Sequence, residues 1–261
     1  MKVTVVKVGG AVVEDPLSLE ELLGGFCSIP GAKVLVHGGG RTATKVASSL
    51  GIETEMVEGR RITSARMLEV VTMVYGGLVA KKIVSSLSVK GVKAISLTGA
   101  DMCVVKAHRR PPVLMGGRMV DFGYVGDIDS VDAEAVASLI SQGTVPVLAP
   151  LSFDPEAGTL LNTNADTIAS CVASSLAEAG HEVTLVYCFE KRGVLSDPED
   201  EDSIIERITP SSFETLKKDG TVSGGMVPKI QNAVSALDSG VKKVLITSHK
   251  DIDGGTVIEC D

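Results

Sequence analysis

The sequence contains few of the residues on which several large classes of protein depend. Among its 261 residues are no Trp, three Tyr and five Phe, so it lacks the aromatic side chains on which many single-stranded nucleic-acid binders stack bases. Its net charge is −8, whereas proteins that bind a nucleic-acid duplex do so through clustered Lys and Arg. No run of about 18 apolar residues occurs, and the apolar run at the N-terminus is too short for a signal peptide. We therefore expect neither a nucleic-acid partner nor a membrane partner.

Cysteine and histidine are also sparse and widely spaced. The five cysteines are odd in number and never occur in C-x-x-C spacing, which predicts reduced thiols and a cytoplasmic protein. The four histidines form no group with metal-ligand spacing, so we expect no protein ligands for a metal ion.

Glycine, in contrast, is abundant, with 28 residues, and hydrophobic residues make up 44% of the chain. Apolar, β-branched runs typical of buried parallel strands alternate with segments of helical periodicity. Predicted strands cover residues 3–8, 33–37, 93–97, 145–149, 183–189, 242–247 and 256–260, and predicted helices cover residues 16–26, 41–50, 64–89, 133–142, 165–179 and 226–240. No break in composition divides them. The pattern predicts a single α/β domain over residues 1–261, a three-layer αβα sandwich around a mostly parallel sheet of about eight strands.

Three further segments have less regular patterns. Residues 53–63 alternate in polarity and predict a short hairpin that projects over a site. Residues 102–107 and 119–126 predict a small antiparallel pair, joined by a solvent-exposed turn that contains Arg109 and Arg110. The long, apolar helix at 64–89 suits either a dimer interface or a helix buried within one subunit, and the sequence leaves both open.

Glycine-rich turns precede predicted helices at three places, and two of them directly follow a predicted strand. These are Gly9-Gly10, Gly38-Gly39-Gly40 and Gly224-Gly225. Such turns let backbone N–H groups approach an anion closely, at the positive end of a helix dipole. Lys7 and Lys229 lie beside two of them. Because fixed cations on both sides of a moving phosphoryl group stabilise its charge, the pattern predicts a phosphoryl-transfer site.

An acidic residue is then needed to hold the two ammonium groups. Asp166, at the start of its predicted helix, suits this role or that of a helix cap, and spacing alone does not decide between them. The chain has no G-x-x-x-x-G-K-[ST] motif and is therefore not a P-loop NTPase.

Seven short segments, in order over nearly the whole chain, make this sequence similar to the amino acid kinase family. They are Val6–Gly10, His37–Gly40, Gly59–Thr63, Val125–Ile128, Leu161–Asp166, Gly193–Leu195 and Gly225–Lys229. The first and last are shared across the family. Arg61 together with Asn162 and Asn164 resembles the members that act on an acylated glutamate, rather than those that act on carbamate, free glutamate, aspartate or a nucleotide.

This resemblance implies a reaction and two cosubstrates. The expected reaction is phosphorylation of the side-chain carboxylate of N-acetyl-L-glutamate by ATP, with Mg²⁺ carried by the nucleotide, to give an acyl phosphate in arginine biosynthesis. N-succinyl-L-glutamate, which a similar branch of the family is expected to use, remains an alternative acceptor. From another functional class, a non-catalytic amino-acid-binding regulator on the same fold also remains, although both lysines and Asp166 favour an enzyme.

The resemblance also implies a role for each matching residue. Expected catalytic residues are Lys7, Lys229 and Asp166; expected substrate-binding residues are Gly39, Gly40, Arg61, Asn162 and Asn164; expected nucleotide-binding residues are Gly9, Gly10, Gly193 and Gly225. Residues 1–180 would form a lobe for the acylamino acid and for dimerisation, and residues 181–261 a lobe for the nucleotide. The chain begins almost directly at its first strand, which by the same resemblance predicts a homodimer insensitive to arginine. Phe189-Glu190 stands where the family usually has Thr-Asp or Ser-Asp.

Overall fold

A computed structural model describes residues 1–197, 199–223 and 226–261, so Gly224 and Gly225 lie outside the described residues. The strands are β1 (Lys2–Val8), β2 (Ala32–His37), β3 (Met56–Val57), β4 (Arg60–Arg61), β5 (Ala94–Leu97), β6 (Val105–Arg109), β7 (Val113–Met115), β8 (Arg118–Val120), β9 (Gly126–Val131), β10 (Val145–Leu148), β11 (Leu151–Asp154), β12 (Thr159–Asn162), β13 (Glu182–Phe189), β14 (Arg207–Ile208), β15 (Lys243–Ser248) and β16 (Asp251–Ile258). The α-helices are α1 (Gly10–Glu14), α2 (Pro16–Ser28), α3 (Gly40–Ser49), α4 (Ala65–Val71), α5 (Ala80–Val89), α6 (Ala133–Ser141), α7 (Ala165–Glu178), α8 (Pro210–Lys218) and α9 (Met226–Asp238).

A sheet of eight strands forms the centre of the molecule, in the order β14-β16-β15-β13-β1-β2-β10-β5. The strands from β15 to β5 are all parallel, whereas β16 is antiparallel to β15. Helices cover both faces, because side chains alternate along each strand and both faces are apolar. This confirms the predicted three-layer α/β fold with a mostly parallel sheet.

The alternation along β1 decides where its lysine lies. Val3 and Val5 pack into the core on the face covered by α7 and α9, and Val6 and Val8 pack into the core on the opposite face. Lys7 has the same parity as Val3 and Val5, so it lies on the α7 and α9 face. It is buried at the carboxyl end of a central strand, where ligands of open parallel sheets bind.

A second sheet, in the order β12-β11-β6-β9, lies beside the carboxyl ends of the main strands. The predicted partner of residues 102–107 was wrong: β6 pairs with β9, residues 126–131, and residues 113–120 form their own hairpin of β7 and β8. Gly123 explains the difference, since its φ of 68° and its bridge to Thr63 draw residues 121–125 toward α4. A Cβ at this glycine would lie 2.3 Å from the Thr63 carbonyl oxygen.

The helical region that follows Ser64 is continuous but changes pitch. Ser64 caps α4 by accepting a hydrogen bond from the Met67 N–H, and a π-helical segment, Thr72–Val79, joins α4 to α5. One side of the region is buried in the core, while Met73 and Leu78 are exposed, at 55% and 58% of their surfaces. None of the described helices is both long and apolar enough to span a membrane.

Candidate active site

Two glycine turns meet where β1 and β2 end. Gly9 N–H donates to the Cys188 carbonyl and Gly38 N–H to the Val8 carbonyl, at 3.1 and 2.9 Å, and these bonds fix the two turns. A Cβ on Gly38 would lie 2.9 Å from the Gly10 nitrogen, and one on Gly10 would lie 3.4 Å from the Gly39 nitrogen. The turns therefore approach each other as only glycine backbones can.

Three backbone N–H groups lie at this contact. Gly10 and Gly40 begin α1 and α3, and Gly39 is the cap of α3. Over the described residues, no acceptor pairs with the N–H groups of Gly10, Gly39 or Gly40. Free amides at helix N-termini are suited to an anion such as a phosphoryl group. Gly9 has already used its N–H, so it can shape this site but cannot donate to it.

Lys7 reaches across to the first turn of α7. Its Nζ lies 2.8 Å from Oδ1 of Asp166, and the two side chains are 8% and 27% exposed. Asn164 caps this helix, with its Oδ1 accepting from the N–H groups of Asp166 and Thr167 at 2.7 and 3.3 Å. The cap fixes the direction of the first turn, and so the position of the Asp166 carboxylate.

Lys229, in the first turn of α9, and Lys7 both lie over the ring of Phe189. Lys229 Nζ lies 3.8 Å from the centre of this ring, and Lys7 Nζ lies 4.7 Å from it. Burial lowers the pKa of Lys229; Lys7 adds to this effect, and the charges of Asp166 and Glu190 oppose it. In the described structure Asp166 forms an ion pair with Lys7 but not with Lys229, and its role in holding both lysines stays a prediction.

Two cavities open on either side of these lysines. The first, of about 580 Å³, is lined by Lys7, Gly9, Gly10, Phe189, Glu190 and Gly193, among others. The second, of about 620 Å³, is lined by Gly39, Arg61, Asn162, Asn164, Asp166 and further residues. Gly40 and Lys229 line both. Two ligands held in these cavities would meet at the free amides and the lysines.

In the second cavity, Arg61 is held from several sides. Its Nη2 donates to the Gly40 carbonyl and to Thr44 Oγ1, each at 2.9 Å, and its Nη1 donates to Thr54 Oγ1 at 3.3 Å. Tyr75, from the π-helical segment, packs against the neighbouring glycine turn: a Cβ on Gly39 would lie 3.0 Å from the Tyr75 ring. Arg61 is thus positioned as a cation next to the glycine turn.

The remaining predicted residues divide between the cavities. Asn162 donates from Nδ2 to Thr63 Oγ1 at 2.9 Å, which leaves its Oδ1 and second N–H for a ligand. Gly193 packs against Thr256, whose Oγ1 would lie 2.8 Å from a Cβ at this position. Gly225 lies outside the described residues.

Sequence reasoning missed two side chains of the site, Phe189 and Arg110. Phe189 was noted only as a departure from the family, and Arg110 was expected in an exposed turn. Arg110 instead lines the second cavity, with its side chain 22% exposed and paired with Asp127. The pairing of β6 with β9, which puts these two residues together, is a tertiary contact that the local sequence does not encode.

His37, before the second glycine turn, is a structural residue. Its Nδ1 lies 2.8 Å from the Gly38 carbonyl oxygen; because a carbonyl only accepts, Nδ1 carries the hydrogen. Burial lowers the pKa of His37 to about 4, so the ring is neutral at pH 7 and braces the turn without adding charge.

Known proteins are similar to this chain in sequence and in fold. Residues 2–248 match the model of the amino acid kinase family. The chain is 55% identical over 256 residues to an acetylglutamate kinase of Bacteroides thetaiotaomicron, covering 97% of both chains. It is 54% identical over 260 residues to an acetylglutamate kinase of Phocaeicola vulgatus, covering 99% of this chain and 98% of the relative. Among solved structures, the protein smu.665 of Streptococcus mutans UA159 superimposes with a TM-score of 0.78 at 27% identity, over 99% of both chains. The chain therefore belongs to the amino acid kinase family.

Proposed function

We propose that this protein transfers the γ-phosphoryl group of ATP to the side-chain carboxylate of N-acetyl-L-glutamate, in arginine biosynthesis. One observation carries the proposal: the Lys7–Asp166 pair, Lys229 and three free glycine amides stand at the junction of two cavities. The names of the relatives, at 54% and 55% identity over nearly the whole chain, support the acceptor.

In this reaction a carboxylate oxygen attacks the γ-phosphorus, and the bond from that phosphorus to the bridging oxygen of ADP breaks. The carboxylate is ionised at neutral pH, so no general base is required. Bound ATP supplies the phosphoryl group. The chain supplies fixed charge: the amides of Gly10, Gly39 and Gly40 would face the moving group, with Lys7 and Lys229 beside it.

The two cavities suggest where each substrate binds. N-acetyl-L-glutamate would occupy the second cavity, with its α-carboxylate on Arg61, since a guanidinium suits a carboxylate, and with Asn162 and Asn164 beside it. ATP would occupy the first, near Gly9, Gly10, Gly193 and Gly225. The first cavity draws residues from both ends of the chain, so the lobes of residues 1–180 and 181–261 would share the nucleotide site.

Magnesium and assembly complete the proposal. Mg²⁺ would be carried by the phosphates of the nucleotide, and no protein ligand is assigned to it. A homodimer would bury the exposed side of the region from α4 to α5, where Met73 and Leu78 lie. A cytoplasmic location and insensitivity to arginine stay predictions from the sequence.

The test is ADP release with N-acetyl-L-glutamate, compared in parallel with glutamate, aspartate and carbamate. Hydroxylamine added to the reaction should trap the product as a hydroxamate, because the product is an acyl phosphate. Lys7→Ala and Lys229→Ala should abolish turnover, and Lys45→Ala, a control lysine with 74% of its side chain exposed, should not. Full activity of either active-site variant would contradict these roles. Saturable binding of the amino acid without ADP release would instead indicate a regulator.

A further inference from the structure

Arg41, the second residue of α3, lies next to the junction of the two cavities but belongs to only one of them. It lines the first cavity and not the second, whereas Gly40, the residue before it, lines both. In the proposed reaction the Gly40 amide faces the γ-phosphoryl group, which moves from one cavity to the other. Arg41 is therefore on the side of that group where the rest of the nucleotide would lie.

The arrangement of α3 indicates where the Arg41 side chain points. Lys45, one turn later and so on the same face of the helix, pairs with Glu14 of α1 at 3.0 Å and lines neither cavity. Helical side chains lean toward the N-terminus of their own helix. Arg41 therefore extends from the face that it shares with Lys45 back toward Gly40 and the first cavity.

The guanidinium group of Arg41 has no partner in the described structure. Within residues 1–197, 199–223 and 226–261 its side chain makes no hydrogen bond, ion pair or ring contact, and the residue is exposed. Arg61, in contrast, is held by three hydrogen bonds. A free guanidinium keeps all of its N–H donors, and its planar fork suits two oxygens of one phosphate.

The lysines of this cavity already interact with carboxylates. Lys7 forms an ion pair with Asp166, and the charges of Asp166 and Glu190 act on Lys229. Phosphoryl transfer adds negative charge to the phosphate of the departing ADP, because that phosphate keeps the electron pair of the broken bond. A cation at that phosphate stabilises the transition state. Arg41 can supply this charge without breaking an existing pair.

We propose that Arg41 binds the β-phosphate of the nucleotide and stabilises the charge that builds on it as the γ-phosphoryl group leaves. This inference rests on the proposed kinase function and adds a catalytic residue to the same site. The β-phosphate adjoins the γ-phosphoryl group on the nucleotide side, as Arg41 adjoins Gly40. Arg41 transfers no proton: the bridging oxygen takes the electrons of its bond to the γ-phosphorus, and the carboxylate oxygen forms the new bond to that phosphorus.

Arg41→Gln, which removes the charge, is the first test. We expect kcat/KM for ATP to fall roughly 10- to 100-fold, the range for a hydrogen bond to a charged group. The value of kcat should fall as well, because the contact strengthens in the transition state. KM for N-acetyl-L-glutamate should stay within about twofold of wild type, because Arg41 does not line the second cavity. Arg41→Lys, which keeps the charge but not the fork, should retain part of the activity.

Lys45→Gln is the matched control, because it removes a cation from the same face of α3 at a residue that lines neither cavity. It should leave kcat and both KM values within about twofold of wild type. Arg41→Gln should keep the Tm of the wild type, because the side chain is exposed and unpaired in the described structure. Equal losses in the two variants, or full activity of Arg41→Gln, would overturn the inference and leave the kinase function standing.

Calorimetric binding of ADP and AMP isolates the β-phosphate, which AMP lacks. Arg41→Gln should weaken ADP binding roughly 10- to 100-fold and AMP binding by less than about twofold, and an equal loss for both would refute the contact. This readout needs no turnover. If the wild-type protein phosphorylates no acceptor, the proposed function fails, and a loss confined to ADP still supports the contact with Arg41. Failure of the wild-type protein to bind ADP would overturn both.

Discussion

Replacing Asp166 by Asn tests the central cluster most directly. The variant keeps the size of the side chain but removes the charge that lies 2.8 Å from Lys7 Nζ. Exposed ion pairs contribute about 0–1 kcal/mol to stability, and breaking a buried pair costs about 3–5 kcal/mol. With 8% and 27% of the two side chains exposed, this pair is intermediate. We expect the free energy of unfolding to fall by about 2 kcal/mol, which lowers Tm by roughly 4–8 °C in a domain of this size.

The effect on catalysis should be larger than the effect on stability. Without the carboxylate, Lys7 loses the partner that fixes its position, and Lys229 loses a charge that raises its pKa. We expect kcat to fall roughly 100- to 1,000-fold, as when one pre-organised electrostatic group is removed from an active site. KM for ATP should not rise, because removing a negative charge does not weaken the binding of phosphates. Steady-state kinetics and thermal unfolding of the same preparation measure both effects.

A matched control distinguishes this role from a structural one. Glu14→Gln breaks the Lys45–Glu14 pair, whose lysine side chain is 74% exposed, and should shift Tm by only a few degrees and leave kcat unchanged. If Asp166→Asn is destabilised as expected but keeps kcat within threefold of wild type, Asp166 is a structural residue. A large rise in KM for ATP at constant kcat would also refute the reasoning.

Further predictions concern the glycine turns, Lys229 and Phe189. Gly38→Ala should lower both Tm and activity, since its Cβ would lie 2.9 Å from the Gly10 backbone nitrogen. Gly10→Ala should fold, because its Cβ would make contacts of 3.4 Å or more. Its kcat/KM should nevertheless fall at least about tenfold, because the methyl group crowds the free amides. Because burial lowers the pKa of Lys229 in the free protein, kcat/KM should decline on the alkaline side at a lower pH than the 10.5 of an ordinary lysine. Lys229→Arg should move that decline to higher pH. The lowered pKa of Lys229 also reduces the free energy of unfolding at neutral pH, where the buried lysine is charged. This destabilisation should disappear as the pH rises through 10.5, the ordinary lysine value. Phe189→Leu should lower kcat/KM for ATP by roughly 3- to 30-fold, the range for a lost cation–π contact, and a value unchanged from wild type would contradict that role.

Much of the fold and part of the site follow from short-range patterns. The alternation of Val3, Val5 and Lys7 against Val6 and Val8 assigns the lysine to one face of the sheet. The glycine turns follow from the need for backbone close approach where a strand ends and a helix begins. Both patterns are local, so they can be read without knowledge of the neighbouring elements. The α/β sandwich, predicted from apolar β-branched runs that alternate with helical segments, is confirmed.

The missed features depend on contacts between distant segments. Arg110 lines the cavity because β6 pairs with β9, and that register depends on Gly123 meeting Thr63. Phe189 lies under both ammonium groups only when the ends of β1, β13 and α9 are brought together. Neither residue has a neighbour in sequence that indicates this role. The residues that place Arg110 in the cavity are distant from it in sequence, so the local composition at residues 109–112 indicated only a solvent-exposed turn.

The ring beneath Lys229 also decides which counter-ion that lysine accepts. A carboxylate in its place would satisfy the ammonium group and compete with an incoming phosphate, whereas the ring of Phe189 carries no net charge and does not titrate. Among the described residues no carboxylate forms an ion pair with Lys229, although the charges of Asp166 and Glu190 act on it, so its ammonium group is open to an anion from solution. Inorganic phosphate or sulfate in the buffer should occupy the site when ATP is absent and stabilise the folded protein by mass action. If ATP binds with its phosphoryl end at Lys229 as proposed, such anions should compete with it, and a measured ATP affinity should then depend on the composition of the buffer.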